Sequence, residues 1–137
     1  MRTMADFMRH VMAMPMPWPV WVALLFLTNA AGVAFLPSLE ARVVLASLAL
    51  GAVAQMALFA RFGFVRLLGA GHAPWLAVVP WLLLRLPDTS GPLAAWVTTV
   101  IVACSVSLAI DIVDVLRFAL GEREPTVVFA TEGQARR

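Results

Sequence analysis

The chain has 137 residues, 62% hydrophobic and 13% charged, with a mean hydropathy of +0.90. A soluble domain of this size keeps a large fraction of its area in water and cannot hide so much apolar surface, so lipid is the second solvent. The net charge is only +2, and the ten basic residues, all arginines, are scattered singly or in pairs, which excludes the continuous basic stripe of a nucleic-acid binder.

Residues 1–14 are predicted to form an interfacial amphipathic helix. Thr3 followed by Asp6 resembles a capping box, and Met4, Phe7, Met8, Val11 and Met12 recur at helical spacing. Arg2, Asp6, Arg9 and His10 fall away from that stripe, so the apolar face is expected to lie on the membrane surface. The thioethers of "MAMPM" beside His10 would suit copper(I). Phe7 and Val11 in the same stripe cannot ligate, and methionine commonly fills apolar faces, so no cofactor is assigned. The prolines at 15, 17 and 19 predict a stiff, extended elbow.

A transmembrane domain follows over residues 15–120. About 20 apolar residues cover a hydrocarbon core of about 30 Å, and four segments have that length: 18–36, 39–60, 65–86 and 93–120. The third is the weakest, because it contains "GAGHAPW" and a second proline, Pro80. If Pro74 marks the true helix start, His72 belongs to a surface loop instead. The links "PS", "RFGF" and "PDTSGP" are short and carry turn residues. The expectation is an all-α polytopic membrane protein, four transmembrane helices in an antiparallel bundle. Residues 121–137 are read as a cytoplasmic tail after a Gly121 helix cap. Its "TVVFA" has strand propensity but no partner strand, which favours a loose tail.

Arginine placement sets the orientation. With both termini cytoplasmic, Arg2, Arg9, Arg61, Arg66, Arg117, Arg123, Arg136 and Arg137 share one side, against Arg42 and Arg85 on the other. Glu40 and Asp88 balance those two. Trp18, Trp21 and Trp96 fit aromatic belts at the two interfaces. "TNAA" imitates a signal-peptide cleavage site, but the apolar stretch 18–36 exceeds a usual h-region of about 7–15 residues, which favours a retained helix. The predicted location is a bacterial-type inner membrane.

On the fourth segment, Cys104, Ser107, Asp111 and Asp114 recur at intervals of three and four and therefore line one face. Polar groups are costly against lipid, so that face should point into the bundle or a subunit contact. Arg117, three residues after Asp114, is its expected partner. Asp111 lies six residues before Arg117, Gln55 six before Arg61, and His72 six after Arg66. If those arginines mark the cytoplasmic interface, all three polar groups sit about 9 Å inside it, at ~1.5 Å per residue. Such a polar layer would either lock the helices by hydrogen bonds or carry protons or cations, the work of Asp and His in intramembrane relays.

No catalytic motif is present, and none is expected: there is no GxSxG, HExxH or Walker loop. The single Cys104 excludes an intrachain disulfide and a CxxC site. His72, Asp111 and Asp114 lack a second histidine for a metal site, so no metal is assigned. Small-residue pairs four apart (Ser47 and Gly51, Ala30 and Ala34, Ser105 and Ala109) suit close helix contacts and a homo-oligomer. Two functions compete. One is an oligomeric channel or transporter built on Gln55, His72 and Asp111, flanked by Asp114, Arg66 and Arg117. The other is a non-catalytic accessory or scaffold subunit of a larger membrane complex.

Overall fold

A computed structural model describes residues 3–127, so Arg2 and the tail beyond Val127, with most of "TVVFA", lie outside the described residues. Within them the chain is all-helical, with no strand. Five α-helices run α1 (Met4–Met12), α2 (Trp18–Ala30), α3 (Leu39–Phe62), α4 (Trp75–Arg85) and α5 (Gly91–Ala119). Three short 3-10 segments (Ala31–Phe35, Arg66–His72, Leu86–Asp88) extend or precede them.

Three stretches are long and apolar enough to cross a membrane: Trp18–Phe35, Leu39–Phe62 and Gly91–Ala119. A fourth is formed only if Arg66–His72 and Trp75–Asp88, bent by 41°, count as one span. Leu24, Leu50, Leu84 and Val102 are exposed on four different helices, as expected where the outer solvent is lipid rather than water. Three to four helices could thus span a membrane, consistent with a multi-pass membrane protein.

The third segment departs from the continuous helix expected over 65–86. Pro74 has no backbone N–H, so the Ala70 carbonyl has no α-helical donor, and the Ala73 N–H takes it at 3.1 Å instead. Gly69 and Gly71 weaken the helix further, and the α-helix begins only at Trp75. The 3-10 stretch before it is not a surface loop, because it lies against both α3 and α5.

Two apolar clusters hold the helices. The larger joins α3, α4 and α5 through Val44, Leu82, Val97 and Val100, all fully buried. At its end the Trp96 ring stacks on Phe35 at 5.3 Å and its Nε1–H donates to the Thr28 carbonyl at 2.8 Å. Trp96 is 8% exposed, so it packs inside rather than in an aromatic belt. Gly32 makes room for it, since a Cβ there would come within 2.9 Å of the ring. Nearby, the buried Glu40 accepts from Arg85, which also holds Asp88. Arg42 turns instead to the Ser38 carbonyl.

The smaller cluster lies at the opposite end and docks α1. Thr3 and Asp6 form the capping box that starts this helix. Its Val11 packs with Phe59, Phe64 and Leu68, and Phe7 packs against them. His10, expected on the polar side, is buried: its ring stacks on Phe64 at 5.2 Å and its Nδ1 lies 2.7 Å from the Asp6 carbonyl. The docked face is therefore Phe7, His10 and Val11, while Met4, Met8 and Met12 remain exposed together. The elbow is also not extended. The Trp18 N–H closes a turn on the Pro15 carbonyl at 3.1 Å, with the Met16–Pro17 peptide cis.

Helix α5 ends in a Schellman motif. Gly121 takes φ +113, the Glu122 N–H donates to the Arg117 carbonyl, and the Gly121 N–H donates to that of Phe118. Over 121–127, the part of the tail within the described residues, the chain then folds back toward the smaller cluster. The Thr126 N–H donates to the Phe64 carbonyl at 2.9 Å, and Val127 joins the smaller cluster.

Candidate functional site

The site is built where the 3-10 turn Arg66–His72 nests between α3 and α5. Three glycines permit the approach. A Cβ on Gly51 would meet the Gly71 carbonyl oxygen at 3.2 Å, one on Gly71 would overlap the Gln55 side chain, and one on Gly69 would reach Asp111 Oδ1 at 2.9 Å. With hydrogen at all three positions, His72 is lowered into the gap between Gln55 and Asp111.

Its two ring nitrogens face different helices. Nδ1 lies 2.7 Å from Asp111 Oδ2 on α5, and Nε2 lies 3.0 Å from the Gln55 side-chain nitrogen on α3. The Ser107 hydroxyl, one turn before Asp111, donates to the same Oδ2 at 3.5 Å. The His72 and Asp111 side chains are 25% and 17% exposed, so the pair is neither sealed nor open. Three residues that the arginine spacing puts at one depth are thus in hydrogen-bond contact, and the glycine-proline stretch explains how.

A second, charged layer adjoins the triad. Arg66 donates to Asp114 at 2.8 Å and approaches Glu122 at 3.5 Å, while Arg117 binds Glu122 at 2.7 Å. Asp114 is therefore held by Arg66 from the neighbouring segment and not by Arg117 on its own helix. Glu122 was not among the residues the sequence singled out. Its signal was the Gly121 cap, which turns the chain back over the helix end and carries Glu122 to Arg117. The Arg117 hydrogen bond holds the Glu122 carboxyl below its ordinary value.

Further along the same face of α5, Cys104 and Ser107 are buried. The Cys104 sulfur contacts the Asn29 side-chain amide at 3.6 Å, and the Asn29 amide also donates to the Leu25 carbonyl at 2.8 Å. Beyond that pair the face becomes apolar at Val100 and Val97.

Among the described residues, no three of His, Cys, Asp and Glu are grouped so as to hold a metal ion. No protein-family model, curated protein or solved structure matches the chain. The functional reading therefore rests on this geometry.

Proposed function

We propose that the chain is a multi-pass protein of a bacterial-type inner membrane, both termini cytoplasmic, whose four segments form an antiparallel bundle with α1 in the cytoplasmic interface. In that setting it is an oligomeric channel or transporter, and Gln55, His72 and Asp111 are its polar layer for protons or cations. The observation that carries this reading is the 2.7 Å contact between His72 and Asp111 inside otherwise apolar segments. Ionisable groups at such depth are expensive and tend to mark ion pathways. The arginine asymmetry supports the orientation, and the exposed Met4, Met8 and Met12 support an interfacial α1.

A bundle this thin offers no wide interior path, which favours a route at the contact between copies in a closed homo-oligomer. Reconstitution into liposomes tests the reading. Asp111→Asn is expected to abolish ion flux while leaving the oligomer's size unchanged. Absence of flux from the unmodified protein would overturn the proposal.

A second reading is favoured by one observation. Within one chain the triad already gives both His72 ring nitrogens a partner, Asp111 on α5 and Gln55 on α3. It would then act as a latch between α3, α5 and the intervening turn in an accessory or scaffold subunit. Interhelical contacts of this kind average only about 0.6 kcal/mol, so their role would be register more than stability. Such a subunit shows no flux and loses its partner complex when the terminal segments are deleted.

A further inference from the structure

Resting on the transport reading above, we infer that the species handled by the triad is a bare proton, passed through the two nitrogens of His72, and that the Gln55 side-chain amide must rotate at each passage. The donor set argues against a larger cation. Hard cations take about six oxygens at bonding distance. The triad and Ser107 offer only four oxygens, two on Asp111, one on Gln55 and the Ser107 hydroxyl, and Asp111 Oδ2 already faces His72 Nδ1 and accepts from Ser107. Space is short as well. The Gly69 and Gly71 backbones wall the site so closely that one added methyl at either position would collide with Asp111 or Gln55. A proton requires neither ligands nor room, only aligned hydrogen bonds.

The hydrogen bonds assign the starting state. An ionised Asp111 can only accept, so the 2.7 Å contact places a proton on His72 Nδ1. Nε2 then holds a lone pair, and Gln55 turns its NH2 toward it at 3.0 Å. An incoming proton binds that lone pair. Nε2–H and the Gln55 NH2 would now meet donor to donor, so the amide turns by half a rotation and presents its carbonyl oxygen. The Nδ1 proton moves to Asp111 Oδ2, leaving His72 neutral with its proton on Nε2 and Asp111 as a neutral acid. Asp111 releases that proton to water or the next acceptor. The start is restored when the ring proton passes from Nε2 back to Nδ1 through a relay of water, to which the 25% exposed imidazole is open, and the amide turns back. One proton enters at Nε2, one leaves from Asp111, and no electrons move.

The test uses the full-length protein in proteoliposomes, with ¹⁵N-labelled histidine for resonance spectroscopy. The wild type is expected to show a protonated Nδ1 and a bare Nε2 on His72. It should relax a pH gradient, with uptake of radiolabelled sodium and rubidium no higher than in empty vesicles. Gln55→Leu offers neither donor nor acceptor, and proton flux should fall on the order of a hundredfold, the scale of a lost proton-transfer group. Gln55→Glu accepts in every rotamer, so His72 should carry protons on both Nδ1 and Nε2, and with no lone pair left for an incoming proton the flux should fall as well.

Asp111-dependent uptake of sodium or rubidium would overturn the proton assignment and leave the transport reading standing. Wild-type proton flux in Gln55→Leu would overturn the amide rotation. If the leucine variant fails to assemble, the glutamate variant decides alone: a protonated His72 Nε2 with lowered flux supports the mechanism, and a bare Nε2 or wild-type flux overturns it. Absence of any flux from the wild type overturns this inference together with the reading beneath it.

Discussion

His72 and Asp111 lie 39 residues apart in the chain and 2.7 Å apart in space, and the contact exists because no side chain occupies positions 69 and 71. Each glycine faces one partner of the histidine: Gly69 faces Asp111, and Gly71 faces Gln55. The geometry of the triad is therefore set by atoms that are absent as much as by those that bond.

Gly71→Ala should consequently push the turn off α3. Overpacking of a filled contact costs about 1–3 kcal/mol. The expected result is a lower unfolding temperature in detergent together with loss of the His72–Gln55 hydrogen bond in ¹⁵N spectra. An alanine variant with unchanged stability and unchanged histidine signals would contradict the close approach.

Leu82 on α4 is fully buried in the larger apolar cluster. Leu82→Ala leaves a cavity there and should destabilise the fold by about 2–5 kcal/mol. Leu84, on the same helix, is 79% exposed, and its alanine variant should be within about 0.5 kcal/mol of the wild type. Equal effects at the two positions would refute the assigned faces of α4.

The docking of α1 is testable at Val11, which is 4% exposed against Phe59, Phe64 and Leu68. Val11→Asp places an unpaired charge in that cluster and should release the helix. Trypsin is then expected to cut after Arg9 much faster than in the wild type. Met8→Asp, on the exposed side of the same helix, should leave that cleavage rate in detergent unchanged.

Acid should loosen the other end of the chain. Glu122 has its carboxyl lowered from an ordinary value of 4.5, chiefly by the Arg117 hydrogen bond. A lowered value means the link contributes fully above pH 4.5 and fades as pH falls through the depressed folded value. Amide exchange at Thr126, whose N–H is bonded to Phe64, should accelerate in that acid window after correction for intrinsic rates. Glu122→Gln should show the faster exchange already at neutral pH.

Much of the fold could be read from residue patterns. Apolar length located α3 and α5 to within two residues at each end, and the 3/4 spacing of Cys104, Ser107, Asp111 and Asp114 marked the inward face of α5. The common level of Gln55, His72 and Asp111 was legible too, because each lies six residues from an arginine near a segment end. Partnership was legible for Gln55, His72 and Asp111, but not for the charged layer beside them. Spacing along one helix pointed Asp114 at Arg117, whereas tertiary packing brings Arg66 to it. His10 shows the same limit: imidazole counts as polar in a pattern, yet its flat ring fits between Phe59 and Phe64 once its Nδ1 meets a carbonyl. The break at Pro74 was foreseeable from the missing N–H. The persistence of close packing before it depended on glycines whose value appears only against a neighbour.

That break has a consequence for how the protein is made. Helix α4 has only 11 residues, against about 20 for a self-sufficient span, and the turn before it brings Arg66 and His72. During synthesis so short a helix, with Pro80 inside it and a broken turn before it, partitions poorly into lipid by itself. Its Arg66 finds Asp114 and its His72 finds Asp111 only after α5 has left the ribosome. The third and fourth segments should therefore enter the bilayer as a pair, with the later one retrieving the earlier.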